Sequence, residues 1–340
     1  MKLTDFDFNL PEKLIAQTPL EKRDESRLMI VDREKGILEH TQFFNIIKYL
    51  NAGDVLVRNN TKVIPARLFG SKALTNAAVE VLLLKNIKDD IWECLVGNSR
   101  TIKIDTEIIF SPKLKAICIE VKDEGIRILK MIYAGVFLEI LDELGETPLP
   151  PYIKTRIKDK SRYQTVYAKT PGSAAAPTAG FHFTGELFEK LKKKGIKIVD
   201  ITLHVGLGTF RPIKVDEVEK HIMHGEYYQV SKEAAQDLQS AKTNNQRIVA
   251  IGTTSARTLE HLLRKHNKFV EDSGFTDIYI YPGFKFKAIG GLITNFHLPK
   301  SSLILLVSAF SSKEIILNAY QEAIAQNYRF FSFGDAMFIK

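Results

Sequence analysis

Cysteine is almost absent, with only Cys94 and Cys118 in 340 residues. Two thiols at that spacing exclude a disulfide-framed fold and give no zinc-knuckle pattern; a reducing, cytoplasmic setting is expected. A long apolar run is also missing. The longest, "SSLILLVSAFSS", is too short to span a bilayer. No leader pattern opens the chain, because Asp5, Asp7 and Glu12 interrupt the apolar residues of "MKLTDFDFNLPEKLIAQTPLEKRDE" and no cleavage region follows. Repeats and low-complexity tracts are absent too, which argues against solenoid and fibrous classes.

What is present is an ordinary globular balance, 45% hydrophobic and 26% charged, with a net charge of +8. A basic surface fits a polyanionic partner, provided the charge is clustered. One cluster is "YIKTRIKDKSRY", residues 152–163, which sets Lys154, Arg156, Lys158, Lys160 and Arg162 between two tyrosines. A second, "EKLKKKGIK", reads as the solvated end of a helix.

Texture changes along the chain. Residues 67–147 carry short β-branched and aromatic runs ("VEVLLLK", "IWECLVG", "TEIIFSP", "LKAICIEVK", "IRILKMIY") separated by Asn, Asp and Gly. That spacing predicts a small antiparallel barrel or sandwich, closed by the helix "YAGVFLEILDEL". Pro148, Pro150 and Pro151 then enforce an extended connection. The second half alternates strand and helix: "IKIVDITLHVG", "RIVAIG" followed at once by "TTSARTLEHLLRKH", "TDIYIYPG", "GGLITNFH", "LPKSSLILLVSAF" and "SKEIILNAYQEAIAQN". This is an α/β pattern.

Ligands in such sheets bind past the carboxyl ends of the strands. Three polar groups fall there: His204 with "GLGTF", Gly252-Thr253-Thr254-Ser255, and Asn295 with His297. The second opens a helix whose free amides favour an anion. The stretch "GSAAAPTAGFHFTGE", residues 172–186, is small and nearly uncharged around His182. Its small residues let backbone approach a flat ligand, with Phe181 and Phe183 flanking the imidazole; a tightly packed junction without ligand is the other reading. In "EKHIMHGEYY", His221, His224 and Glu226 could ligate a metal, or Glu226 could orient a histidine for proton transfer.

Eleven blocks, among them "RDESRLMIVDR", "GDVLVRNNTKVIPARL", "RYQTVYA", "AAPTAGFHFT", "TLHVGLGTFRPI", "HIMHGE", "GTTSARTLE", "LITNFHLPKSSLILLVSAF" and "YRFFSFGDAM", run in order from Phe6 to Met337. Together they resemble the S-adenosylmethionine:tRNA ribosyltransferase-isomerase family of queuosine biosynthesis. Phe181, Ala174 and Ser302 stand where that family usually has leucine, valine and threonine, which touches pocket shape and no titratable group.

The resemblance implies two domains. These are a larger α/β part with a barrel-like sheet, over 1–66 and 148–340, and an inserted small antiparallel β-barrel over 67–147. It implies transfer and isomerisation of the ribosyl part of S-adenosylmethionine onto 7-aminomethyl-7-deazaguanine at the tRNA wobble position, with release of adenine and methionine. No prosthetic group, metal, membrane or obligate protein partner is implied; S-adenosylmethionine is a co-substrate and tRNA the partner. The chemistry needs a base for the hydrogens at C5′, a proton for departing adenine, and a pocket for an everted base. By residue type, His182, His204, His224, Glu226, His297 and Asp335 are candidates for proton transfer. Tyr167, Phe181, Phe183, Gly252, Thr253, Thr254, Ser255 and Asn295 are candidates for holding the co-substrate, and Arg23, Arg27, Lys154 and Arg162 for tRNA phosphates. A metal-dependent hydrolase and a non-catalytic RNA-binding protein are the competing classes.

Overall fold

The structure is a computed structural model that describes residues 1–155, 159–206 and 213–340. It divides into two compact units: Met1–Thr61 with Pro151–Thr170 and Pro177–Lys340, and Lys62–Pro150 with Pro171–Ala176.

The larger unit opens with β1 (Arg27–Val31), β2 (Leu38–Gln42) and β3 (Val55–Asn59); β4 (Thr61–Val63) then leads into the second unit. That second unit holds β5 (Arg67–Lys72), β6 (Ala78–Lys88), β7 (Ile91–Val96), β8 (Glu107–Ser111), β9 (Leu114–Val121), β10 (Ile126–Tyr133) and α1 (Phe137–Leu144). After β11 (Thr170–Ser173), which pairs with β4, come α2 (Gly185–Lys193), β12 (Lys197–Leu203), β13 (Glu226–Val230) and α3 (Lys232–Thr243). The chain continues through β14 (Ile248–Ile251), α4 (Gly252–His266), β15 (Asp272–Thr276), β16 (Gly291–Asn295), α5 (Ser302–Phe310), α6 (Lys313–Ala325) and β17 (Ala336–Ile339).

In the smaller unit β10, β7, β6, β5, β8 and β9 close into a barrel, so no edge is left to pair with another chain. Alternation along the strands turns Trp92, Cys94 and Val96, and opposite them Ala116 and Cys118, into its interior. Both cysteines are free thiols, and burial raises the pKa of each. Arg127 is buried as well. Its guanidinium bonds the carbonyls of Ile102, Lys122, Ile126 and Ser99, which meets its donors without a carboxylate.

The larger unit is a nine-stranded sheet in the order β15-β13-β12-β3-β14-β16-β17-β1-β2. This order has two ends, whereas the six strands of the insert close on themselves. β12, β3, β14 and β16 run parallel, and every residue of β14, β16 and β17 is buried. Such strands read as continuous apolar runs because both faces are covered. One core layer joins Leu28, Leu56, Val249, Ile293 and Phe338 of the strands to Phe43, Phe183, Leu187 and Phe188. Thr184 starts α2 by accepting the Leu187 N–H at 3.1 Å.

One expected strand lies elsewhere. "TDIYIYPG" does not form a ladder; β15 lies just before it, over "DSGFT". Ile278 and Ile280 are buried while Tyr279 and Tyr281 are half-buried, so the period of two is real. The carbonyl of Ile278 is taken by the Arg257 side chain rather than by a neighbouring strand. Among the described residues, no single helix is long and apolar enough to cross a membrane.

Candidate active site

Strand direction gathers the polar turns on one edge of the large sheet. The parallel strands β12, β3, β14 and β16 end there, at Leu203, Asn59, Ile251 and Asn295. β17 is antiparallel to β16 and pairs Ala336 with Asn295, while β1 pairs Leu28 with Ala336, so both strands start at this edge. β13 is antiparallel to β12, which brings Glu226 there too. The edge therefore carries, in order, Ser26 and Asp335, Asn295, Gly252, Thr61, His204 and Glu226. This is the crevice position expected of an open α/β sheet.

His182 meets this edge at the Ser26–Asn295 end, in the turn Thr178–His182. The ring is buried and stacked on Phe43, with centroids 5.0 Å apart. Nδ1 lies 2.7 Å from Ser26 Oγ and Nε2 3.1 Å from Asn295 Nδ2. The amide of Asn295 also donates to the Phe331 carbonyl, and its oxygen accepts from Thr178. That fixes the amide nitrogen toward the imidazole, so Nε2 accepts and Nδ1–H donates to Ser26. Burial, then Arg329 and Arg23, lower its pKa to about 3. His182 is a neutral imidazole pinned at both nitrogens.

Gly252 joins β14 to α4 with φ +87°, a backbone that suits glycine. Its Cα faces Ala179 of the His182 turn. The residue before α4 is Ile251, so no side chain caps the helix. The amides that open a fifteen-residue helix are left without a side-chain cap. Thr253, Thr254 and Ser255 are buried there; Ser255 Oγ bonds back to the Ile251 carbonyl, and Thr254 Oγ1 is buried without a partner among the described residues. Tyr167 packs against Gly180 of the His182 turn. Its hydroxyl is likewise buried and unpartnered among the described residues, its ring lies under Arg58, and burial raises its pKa.

The Gly180 position makes this packing testable. A Cβ there would lie 2.0 Å from Tyr167 Oη and 2.8 Å from Thr165 Cγ2. Gly180→Ala is expected to destabilise the larger unit by about 1–3 kcal/mol and to displace the His182 turn. Urea midpoints check it, with Tyr167→Phe as the partner variant. The double variant recovers part of the loss, since it removes the clashing oxygen.

At the far end of the edge, His204 is half-buried, stacked on Tyr227, with Nδ1 2.7 Å from Thr61 Oγ1. Burial lowers its pKa to about 4. Among the described residues Nε2 has no hydrogen-bond partner. Glu226 does not orient a histidine. Its buried carboxylate pairs with the buried Arg257 of α4 and accepts the Gly206 N–H at 3.0 Å. His224 is exposed and His221 packs edge-on against Tyr279, so His221, His224 and Glu226 do not converge. No three-residue metal-ligating cluster occurs among the described residues.

The other expected site residues are tied into the framework. Phe183 is wholly buried between Phe43 and Phe188. His297 is buried with Nε2 2.9 Å from Thr294 Oγ1, and burial lowers its pKa to about 3. Asp335 accepts the backbone N–H groups of Arg27 and Arg329, yet burial raises its pKa on balance. Phe181 stacks on Phe333 beside Arg23. Arg27 lies over the Tyr328 ring and donates to Gln326, while Lys154 is exposed and paired with Glu12 at 2.6 Å. Arg156 and Lys158, and residues 207–212 of the "GLGTF" turn, lie outside the described residues.

Sequence reasoning missed Ser26, Thr61, Arg257 and Arg329. A signal for Arg257 exists: it is one turn into a helix start made almost entirely of small residues, which implies close packing on all sides. Arg329 and Ser26 carry no local pattern, since only strand order brings them to His182.

Comparison with known proteins identifies the family. Residues 3–339 match the family model described as queuosine biosynthesis protein. The chain is 57% identical over 340 residues to the S-adenosylmethionine:tRNA ribosyltransferase-isomerase of Staphylococcus saprophyticus, covering 100% of both chains. It is similar to the crystal structure of S-adenosylmethionine tRNA ribosyltransferase from Thermotoga maritima, at 40% identity and a TM-score of 0.58, over 99% of this chain and 100% of that one.

Proposed function

The chain belongs to the queuosine biosynthesis protein family, and on that premise we propose that it is an S-adenosylmethionine:tRNA ribosyltransferase-isomerase acting in the cytoplasm. It moves the ribosyl group of S-adenosylmethionine onto 7-aminomethyl-7-deazaguanine at the wobble position of tRNA. The products are epoxyqueuosine-tRNA, adenine and methionine, with no prosthetic group taking part. The observation that carries the reading is the single sheet edge on which His182, Asn295, an uncapped helix start with the buried Thr254 hydroxyl, and His204 stand in sequence.

In this reading the start of α4, Gly252 to Ser255, holds the carboxylate or ribose of the co-substrate through free amides. Tyr167 and Phe181 bound the nucleoside, and Phe183 supports them from the core. His204 is the proton acceptor, because Thr61 fixes the ring and Nε2 has no partner among the described residues. His182 and Asn295 position, since both imidazole nitrogens are engaged. Glu226 acts through Arg257 and Gly206 on the His204 turn; His297 and Asp335 hold strand ends, and His224 stands at the rim. Arg23, Arg27, Lys154 and Arg162 contact tRNA phosphates, the exposed Lys154–Glu12 pair being cheap to exchange.

The test is direct. Purified protein given S-adenosylmethionine and tRNA bearing the precursor base is expected to release adenine, and tRNA with guanine at that position is not. No adenine from the precursor tRNA sinks the reading. His204→Ala is expected to slow single-turnover adenine release by about 10²–10⁴-fold with the fold intact, as loss of a general base does.

A further inference from the structure

We propose that the small hollow between Arg23, Arg162 and Arg329 is an oxyanion subsite, which takes either a phosphate of the bound RNA or the carboxylate of the amino-acid part of the co-substrate. The proposal rests on the functional reading above for those two ligands. The hollow is floored by His182 and Ser26 and bounded by Phe181 and Phe333. The hollow is open to one side, and its volume of about 20 Å³ is far too small for a nucleobase.

Charge is the first argument. Three guanidinium groups line one opening, and among the described residues the lining holds no carboxylate. Asp335 lies 4.0 Å from Arg329 Nε, but its oxygens already accept two backbone N–H groups. Burial, and then the neighbouring Arg162, lower the pKa of Arg23 even with Asp159 acting the other way, as expected of cations brought close together. His182, held neutral, adds no compensating charge.

Unspent donors are the second argument. Arg23 bonds the carbonyls of Gln164 and Ser161, Arg162 those of Glu21 and Leu20, and Arg329 those of Thr18 and Phe333. Each guanidinium has five N–H groups, so each keeps donors in reserve. Arg162 Nε is buried with no partner among the described residues. The carbonyls fix the forks in place, which is the preorganisation that bidentate oxyanion binding needs.

Binding is measured separately from turnover, using tRNA alone over a range of salt and S-adenosylmethionine alone, with Arg162→Gln and Arg329→Gln. A phosphate occupant predicts that tRNA affinity falls at least about tenfold and its salt slope drops by about one, with S-adenosylmethionine unaffected. A carboxylate occupant predicts the same loss for S-adenosylmethionine, none for 5′-methylthioadenosine, and an unchanged tRNA slope. Unchanged affinity for both ligands in folded variants overturns the proposal. Wild-type protein supplies a second test that needs no variant. Inorganic phosphate is expected to displace one of the two ligands more strongly than chloride at equal ionic strength, and equal displacement by both salts overturns the subsite. These results stand whether or not adenine is released, so the subsite and the reaction fail separately.

Discussion

Arg257→Ala is expected to destabilise the larger unit by about 3–5 kcal/mol, because it breaks a buried ion pair by removing one partner. Arg257 and Glu226 are both nearly sealed from solvent, and they join the first turns of α4 to the start of β13. The pair itself offers little net stability, since two charges must be desolvated to form it. Cutting away the guanidinium takes a charged partner from a carboxylate held in a low-dielectric site. Two optical signals locate the effect. Helices α2 to α6 belong to the larger unit, and the single tryptophan, Trp92, belongs to the barrel. The urea transition followed by helical circular dichroism should move strongly, and Trp92 fluorescence should report the barrel separately. Arg257→Met with Glu226→Leu should restore most of the loss, because both members of the buried pair are then apolar. A change under about 1 kcal/mol for Arg257→Ala would show that water reaches Glu226.

Much of this architecture was legible because it follows from periodicity. Five of the six barrel strands of the insert were readable from alternation within 67–147, though not β5, and the α/β half from strand-helix alternation. The carboxyl-edge candidates Gly252, Asn295 and His204 were readable because each follows a buried run directly. What the chain order hides is pairing across distance. Ser26 meets His182 only because β1 lies beside β17, and β17 beside β16, an order no local pattern encodes. "TDIYIYPG" shows the converse limit. Its alternation correctly marks an inward and an outward side, but a strand also needs a neighbour, and there Arg257 occupies the Ile278 carbonyl.

Residue type alone also overstated the histidines. Imidazole suggests titration near neutral pH, yet His182, His204 and His297 are each lowered well below that range by burial. Glu226 beside His224 in sequence suggested a carboxylate–imidazole pair. In the strand β13 alternate residues face opposite ways, and the exposed His224 lies before the strand begins. Glu226 turns inward to Arg257 instead.

Those lowered histidines make the fold acid-sensitive. Each ordinary imidazole takes up a proton near 6.5 when the chain unfolds, whereas His182 and His297 hold out to about 3 and His204 to about 4 in the folded protein. Between those limits the unfolded chain binds more protons than the folded one, so stability rises with pH. The contribution is fully present above the unfolded value and is lost as pH falls through 6.5 toward 4. Each such group is worth about 1.4 kcal/mol per pH unit once the unfolded imidazole is charged. Three of them therefore predict a loss of roughly 4 kcal/mol between pH 7.5 and 5.5. His221 and His261 are lowered in the same direction and add to it. Asp335 and Glu260 are raised, which acts oppositely but only nearer the carboxylate range, so the histidines dominate above pH 5. Urea midpoints across that interval check the slope. His297→Gln should flatten it by about a third relative to wild type, because one of the three protons is no longer exchanged on unfolding. A wild-type slope near zero would mean these rings take up protons in the folded state, and the neutral, pinned His182 on which the site's geometry depends would be wrong.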